Sequence, residues 1–233
     1  MIHQSEFDKY IKEYRKIHTD NIKGISGQDS EYFSEYKIAE IRDRIRLPEA
    51  PVILDLGCGD GNSAKFFVKY IKNADYTGID VSSDSIEYAR TQYNDERIRF
   101  ELYDGRHIPA PDGKYDIIFI SCVMHHIAPN KRAAILKECH RVLKKTGKLI
   151  IFEHNPYNPI TLKVVNNCPF DENAVLMTAG MIKKQLRPVG FGRVRIRYTI
   201  FFPRKWFFRS LLFLEKYLSW LPLGGQYYLE VSK

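Results

Sequence analysis

Cysteines are few in this sequence and form no paired motif. The four of them, at positions 58, 122, 139 and 168, include no C-x-x-C pair. Zinc ribbons and disulfide scaffolds need closely spaced or numerous cysteines, so both classes are excluded. We therefore expect free thiols, and a reducing cytoplasm as the location of the protein.

Long apolar runs are missing as well. The sequence has no stretch of about 18 uncharged apolar residues, so we expect no membrane-spanning helix. The first ten residues, MIHQSEFDKY, are polar and acidic, so we expect no signal peptide. The 233 residues are 44% hydrophobic and 27% charged, which is a globular composition and excludes collagen-like and low-complexity architectures.

The positive charge is concentrated at one end of the chain. The net charge is +8, and residues 181–233 hold eleven Lys or Arg against two acids. The first 180 residues are close to neutral. This asymmetry predicts an anionic partner for the C-terminal quarter.

From Pro51 onward, short apolar strands alternate with helical patterns. This alternation predicts a parallel sheet covered by helices on both faces, the α/β doubly wound class. The predicted strands are 52–56, 76–80, 97–102, 115–121, 148–152, 194–200 and 226–231, and the predicted helices are 62–71, 82–92, 131–144 and about 171–186.

The predicted sheet is therefore seven-stranded and mostly parallel. We expect the last strand to be antiparallel, because no crossover helix of the usual kind separates the sixth strand from the seventh. The basic and aromatic insertion between them, about 201–224, is long enough to carry a crossover, so a parallel pair stays open.

Two helical patterns precede this domain. One places Phe7, Tyr10, Ile11, Tyr14 and Ile17 on one face, and Asp29 or Ser30 could cap the other. Two prolines then end the second pattern. We predict a helical cap or lid at residues 1–47 and a catalytic domain at 48–233, with a helical insertion at about 201–224.

The most informative stretch is DLGCGDGN, residues 55–62, which leaves a strand and enters a helix. Its three glycines permit a tight turn and close approach to a ligand. A dinucleotide site needs G-x-G-x-x-G, but Asn62 stands where the third glycine is required. Asp55 and Asp60 would repel a pyrophosphate, whereas they favour a cationic sulfonium and an ammonium group. Asp80, nineteen residues after Gly61, can accept hydrogen bonds from ribose hydroxyls.

This stretch resembles the D-x-G-C-G-x-G pattern of the class I S-adenosylmethionine-dependent methyltransferases. The resemblance covers about residues 50–155 and, more loosely, the last two strands. It implies S-adenosylmethionine as cofactor and S-adenosylhomocysteine as product. It also implies the binding residues: Asp55, Gly57, Cys58 and Gly59 for the methionine part, Asp80 and Val81 for the ribose, Asp104 and Gly105 for the adenine, and Ser121 and Cys122 beside the carboxylate and sulfonium.

Two further features belong to the same resemblance. The segments EHNPYNP, residues 153–159, and CPFD, residues 168–171, resemble a subgroup of small bacterial methyltransferases associated with glycan or secondary-metabolite pathways. N-terminal helices in the family often act as a lid. The aromatic residues that would serve here, with packing on the sheet edge as the alternative, are Tyr10, Tyr14, Tyr32, Phe33 and Tyr36.

Methyl transfer needs a positioned acceptor and the removal of one proton. The imidazoles expected at the carboxyl ends of strands four and five are His126, our first choice of base, His154, our second, and His125. Each of them could instead cap a helix or order a loop. Because the adjacent pair lacks the i, i+4 spacing of two ligands on one helix face, we expect no metal.

The insertion mixes basic residues with aromatic rings and admits four interpretations. It could pack on the protein or wall the pocket, form a dimer contact, touch a membrane surface or lipid-linked substrate, or bind single-stranded RNA.

We expect an O-methyltransferase acting on a small-molecule or glycan-related acceptor, as a monomer or homodimer and without nucleic acid as a partner. An RNA methyltransferase, a non-catalytic nucleoside-binding protein and a nicotinamide oxidoreductase are the alternatives.

Overall fold

The computed structural model describes Lys23 and residues 27–233. The strands are β1 (Val52–Leu56), β2 (Asp75–Asp80), β3 (Ile98–Leu102), β4 (Tyr115–Ser121), β5 (Leu143–His154), β6 (Val194–Thr199) and β7 (Gln226–Ser232). The helices are α1 (Ser30–Arg44), α2 (Ala64–Tyr70), α3 (Ser83–Gln92), α4 (Pro129–Val142), α5 (Pro159–Asn166), α6 (Ala179–Leu186) and α7 (Glu215–Leu218). Turns of 3-10 helix lie at Met124–His126, Pro169–Asp171, Arg187–Val189 and Trp206–Leu214. The predicted helix around Phe7–Ile17 lies outside the described residues.

All seven strands form one sheet in the order β3-β2-β1-β4-β5-β7-β6. β1 pairs in parallel with β2 and β4, and β5 continues the parallel set beside β4. β7 is antiparallel to both β5 and β6, so β7 alone runs in the reverse direction. The predicted fold class, including the antiparallel last strand, is confirmed.

The sheet is buried on both faces, as the apolar strands predict. Along β1, Leu54 and Leu56 pack into one apolar cluster with α4, whereas Ile53 packs into the opposite cluster with α2. This alternation follows from the two-residue period of a strand. The carboxyl ends of the parallel strands therefore open between two covered faces, where open α/β sheets bind ligands.

Helix α1 covers the sheet beside α2. Asp29 is its N-cap, since the Asp29 carboxylate accepts a hydrogen bond of 2.8 Å from the Tyr32 amide. The buried stripe of α1 contains Lys37 among apolar residues. A lysine in such a stripe is unusual, because burying an ammonium group is costly unless it is compensated.

The prediction of one helix over 171–186 was wrong in its first half. Asp171 ends a 3-10 turn, and α6 begins only after Thr178, whose hydroxyl oxygen caps the Met181 amide. Between them, the Val175 amide donates to the His125 carbonyl at 2.9 Å. This bond fixes the segment against the loop after β4, so the segment does not form a helix.

The insertion also differs in detail from the expected helical segment. It contains a 3-10 turn at Trp206–Leu214 and the four-residue α7. Within residues 27–233, none of the helices is both long and apolar enough to cross a bilayer.

Candidate active site

A cavity of about 310 Å³ lies at the carboxyl ends of β1, β2, β4 and β5. Its walls come from the glycine turn after β1, from α1, from the loops after β4 and β5, and from the start of the insertion. The residues that these segments contribute include Phe33, Lys37, Asp55, Gly57, Gly59, Asn62, Asp80, Val123, His126, His154, Asp171, Phe201 and Gln226.

The glycine turn is held against β2. The Gly57 and Cys58 amides both donate to the Ile79 carbonyl, at 2.8 and 3.1 Å. Gly57 has a φ of +77°, and a Cβ on it would meet a Val123 methyl at 2.5 Å. Gly59 has a φ of +52° and open space around its missing Cβ. Gly57 is therefore required by packing, whereas Gly59 is required by its backbone conformation.

Asp80 links the glycine turn to the end of β2. One carboxylate oxygen accepts from the Gly59 amide at 2.9 Å, and the other accepts from the Ser82 amide at 3.0 Å. Asp80 also lines the cavity, so its carboxylate is within reach of a ligand bound there.

Asp55 lies at the base of the cavity and is buried. Its carboxylate accepts a hydrogen bond of 2.7 Å from the Tyr76 hydroxyl. Burial raises the pKa of Asp55 to about 7, and the nearby Asp80 charge adds to this, while the Tyr76 bond and Lys37 oppose it. The ionised form therefore gains from any positive charge placed in the cavity.

Lys37 reaches from α1 to the end of β4. Its ammonium group donates to the Ser121 hydroxyl at 2.8 Å and lies 3.7 Å from the Cys122 sulfur. No carboxylate of residues 27–233 forms an ion pair with this ammonium group. Sequence reasoning missed Lys37, although its place in a stripe with Phe33 and Ile41, four residues away on either side, was a usable signal.

Cys122 sits in a strained backbone conformation beside His154. Its φ of 57° is in the left-handed region, which a non-glycine residue rarely adopts. Burial raises the pKa of the thiol, but the charges of His154 and Lys37 outweigh burial and lower it to about 7. The thiol and imidazole therefore form a polar pair on the cavity wall.

His125 is buried behind the cavity wall. Its Nδ1 lies 2.5 Å from one oxygen of Glu153, and the other oxygen accepts from the Met124 amide at 2.8 Å. Burial lowers the pKa of His125, but the Glu153 charge outweighs it and raises the pKa to about 10.

Asp171 joins His125 to His126. One Asp171 oxygen lies 3.3 Å from Nε2 of His125 and 3.4 Å from Nε2 of His126. Burial and the charge of His125 lower the pKa of His126 to about 4, so His126 is neutral at pH 7. Sequence reasoning did not assign Asp171 a role, although it ends the CPFD segment.

Most of the predicted cofactor residues line this cavity. Those that do so are Asp55, Gly57, Cys58, Gly59, Asp80, Val81, Ser121 and Cys122. Asp104 and Gly105 do not line it, and one Asp104 oxygen accepts from the Arg106 and His107 amides at 2.8 Å each. Of the predicted bases, His126 and His154 line the cavity. The roles assigned to all these residues stay predictions.

Two cavity side chains hold unused acceptors. Oδ1 of Asn62 and Oε1 of Gln226 are buried and have no hydrogen-bond partner among residues 27–233. Leaving a buried acceptor unsatisfied costs about 1–3 kcal/mol, so both oxygens suit a ligand with N–H or O–H donors. The sequence predicted no binding role for either residue, because a single amide side chain forms no recognisable motif.

The comparisons with known proteins agree with this geometry. A family model described as a methyltransferase domain matches residues 53–147. A fatty-acid O-methyltransferase of Mycolicibacterium smegmatis is 30% identical over 108 residues, which are 46% of this chain and 39% of that protein. A demethylmenaquinone methyltransferase of Thermotoga maritima is 32% identical over 106 residues, which are 46% of this chain and 44% of that protein. The chain thus spans less than half the length of these curated relatives.

A solved structure is similar over nearly the whole chain. It is an S-adenosylmethionine-dependent methyltransferase from Thermotoga maritima, with a TM-score of 0.68 and 19% sequence identity. The match covers 98% of this chain and 99% of that chain. At this level of identity, the similarity shows a shared fold.

Proposed function

We propose that this chain, whose residues 53–147 match a methyltransferase domain, transfers a methyl group from S-adenosylmethionine to an oxygen of a small-molecule or glycan-related acceptor. One observation carries the proposal. The glycine turn at 57–61, with Asp80 beside it, opens into the same cavity as two imidazoles. A nucleoside-binding turn and a proton acceptor are the two parts that methyl transfer to a hydroxyl needs.

The donors and acceptors of this cavity fit the cofactor. Asp80 lines the cavity at the end of β2, and its carboxylate suits the hydroxyls of a ribose. The unused oxygens of Asn62 and Gln226 suit an ammonium group, which brings three donors. The buried ammonium of Lys37 suits the carboxylate of the methionine part. When bound, the cofactor supplies a methyl group on a positively charged sulfur, which leaves as a neutral thioether.

The protein's part in the reaction is to position the acceptor, to exclude water and to take one proton. His126 is the first candidate base and His154 the second, because both line the cavity. His125 would position His126 from behind the wall. The lid role of α1 remains part of this proposal, with Phe33 closing one side of the cavity.

The acceptor is expected to be partly apolar. Phe33, Ile160, Phe201 and Phe202 form an apolar wall of the cavity, so an acceptor with an apolar portion would lose little solvation there. The name of the fatty-acid O-methyltransferase relative supports an apolar acceptor and transfer to oxygen.

The test is a turnover assay that detects S-adenosylhomocysteine. Purified full chain would receive S-adenosylmethionine and a panel of hydroxylated acceptors: fatty acids, phenols, saccharides and lipid-linked saccharides. We expect product with at least one acceptor. Asp80→Ala should weaken cofactor binding by about 1–3 kcal/mol, the cost of a lost hydrogen bond to a charged group. Asp84→Ala, on the exposed side of α3, is the matched control and should bind as wild type.

The other outcomes identify the competing functions. Cofactor binding without turnover on any acceptor would support a non-catalytic nucleoside-binding protein. Turnover on RNA, with retention that falls steeply as salt rises, would support an RNA methyltransferase. Displacement of S-adenosylhomocysteine by NADH would remove the methyltransferase proposal altogether.

A further inference from the structure

We infer that His125, His126 and Asp171 form a binding site for a divalent transition-metal ion, with zinc as the best-fitting ion. The expectation of no metal rested on histidine spacing along a single helix. It does not apply to this cluster, because Asp171 comes from a separate segment, the 3-10 turn before α6. The three residues gather their ligand atoms within 4.8 Å of one another.

The two distances from Asp171 match the spacing of metal ligands better than that of hydrogen-bonded partners. One Asp171 oxygen lies 3.3 Å from His125 Nε2 and 3.4 Å from His126 Nε2. With bonds of about 2.0 Å, a tetrahedral zinc ion holds its ligand atoms about 3.3 Å apart. An N–H···O hydrogen bond is usually about 2.9 Å long. Two histidines and one carboxylate also form a known catalytic zinc ligand set.

His125 presents an unused nitrogen to this point. Its side chain is only 1% exposed, and its Nε2 has no hydrogen bond with any residue in the part of the chain that the structure describes. The Asp171 contact at 3.3 Å lacks hydrogen-bond geometry. A buried polar atom without a partner costs free energy, and a metal ion would remove that cost.

Glu153 completes the arrangement from the other side of the His125 ring. The Nδ1 atom of His125 lies 2.5 Å from Glu153, which is fully buried. With the Nδ1 proton held by this contact, a metal ion would displace the Nε2 proton and bind the lone pair of that nitrogen. Metal-binding histidines commonly donate their other ring nitrogen to a carboxylate in this way.

The open coordination position would face the cavity. His126 and Asp171 line the cavity wall, so a fourth ligand could only enter from that side. A zinc ion lowers the pKa of a hydroxyl or water bound to it. Because the ion would occupy Nε2 of His126, the role of base would pass to His154. The inference rests on the cluster itself, and it holds whether or not methyl transfer is the reaction.

The test is metal binding to the full chain, with no turnover measured. Chain stripped with a chelator would be titrated with Co²⁺, read by visible absorption, and then with competing Zn²⁺. We expect one ion per chain. Asp171→Asn and His126→Ala should each weaken binding at least about 100-fold, and Glu153→Gln about 10–100-fold. His107→Ala removes an exposed imidazole elsewhere and should bind as wild type.

Three results would overturn the inference. The first is no Co²⁺ spectrum beyond that of the free ion. The second is unchanged affinity in both ligand variants, each checked for native circular dichroism; if one fails to fold, the other decides. The third is a strong near-ultraviolet thiolate band that Cys122→Ser abolishes, which would assign the ion to cysteine. Failure of methyl transfer would leave all three readouts unaffected.

Discussion

Lys37 and Asp55 are buried charges of opposite sign on one cavity wall. Lys37 contacts a hydroxyl and a thiol, and Asp55 accepts a hydrogen bond from Tyr76. Buried charges without a close ionic partner are costly in a structure kept only for stability. We expect a charged ligand in the cavity to compensate them, and substitution of each residue tests this.

Lys37→Met should weaken S-adenosylhomocysteine binding about 10–100-fold, because the ligand carboxylate loses a charged donor worth about 1.5–3 kcal/mol. Methionine fills the same volume without a buried charge, so thermal stability should be equal or higher. Isothermal titration calorimetry measures the affinity. Lys72→Met, at an exposed lysine after α2, is the control. If Lys37→Met binds S-adenosylhomocysteine with wild-type affinity, Lys37 does not contact the ligand carboxylate.

Asp55 predicts a pH dependence of stability. Its folded pKa of about 7 lies above the usual value of 3.8 for an aspartate, so between these pH values the folded state retains a proton that the unfolded state has lost. The Asp55 contribution to the free energy of unfolding should therefore fall as pH rises from about 4 to about 7, and stay constant above. The groups facing it are Tyr76, Asp80 and Lys37.

Urea unfolding of wild type and Asp55→Asn at pH 5, 6, 7 and 8 measures this contribution. The wild-type free energy of unfolding should decline relative to that of Asp55→Asn from pH 5 to pH 7 and level off towards pH 8. For Asp84→Asn, at an exposed carboxylate, the free energy of unfolding should change with pH as it does in wild type. A constant difference between wild type and Asp55→Asn would contradict the raised pKa.

At the scale of elements, a buried ion pair inside the insertion holds the arginine that contacts α1. Arg204 meets Glu215 with two bonds of 2.8 Å and donates to the Tyr32 hydroxyl of α1 at 2.8 Å. Glu215 also accepts from the Phe201 and Phe202 amides. The start of the insertion is therefore packed on the protein and walls the cavity, which is one of the four interpretations of its sequence.

Glu215→Gln should lower the free energy of unfolding by about 3–5 kcal/mol, because it leaves the Arg204 charge buried and unpaired. Urea denaturation measures the change. The control is Asp112→Asn, which breaks the exposed pair with Arg141 and should cost less than about 1 kcal/mol. Equal effects in the two variants would mean that burial adds nothing to the contribution of the Arg204–Glu215 pair.

Across the whole molecule, the basic C-terminal quarter also carries exposed rings. Trp206 is 82% exposed and Trp220 is 73% exposed, within the segment that holds the positive charge. Basic residues combined with exposed tryptophans are typical of surfaces that contact anionic membranes. A peripheral membrane contact therefore remains our proposal for this surface.

The chain should bind vesicles that contain anionic phospholipid more strongly than neutral vesicles, as measured by flotation. Trp206→Ser with Trp220→Ser should reduce this binding about tenfold, because two rings no longer enter the interface. Leu102→Ser, at an exposed apolar residue of β3 outside this surface, should leave binding unchanged. Equal binding to neutral and anionic vesicles would refute the proposal, and salt-dependent retention on RNA would redirect it to nucleic acid.

The sequence by itself determined the sheet and the cofactor turn. The positions of the strands along the chain and the glycine turn could be predicted because they depend on local patterns: apolar runs, helix periods and glycines next to a strand. Element ends shifted by a few residues, and the helix expected over 171–186 failed where the Val175 amide bonds to a distant loop. Local periodicity contains no information about such a contact.

Only the tertiary structure decided which charged groups share the cavity. Lys37 is 84 residues from the Ser121 hydroxyl it contacts, and His125 is 28 residues from Glu153. Asp171 approaches both histidines from a third segment. Burial and electrostatic coupling depend on distance in space, so the sequence shows which side chains exist but not which of them lie close together.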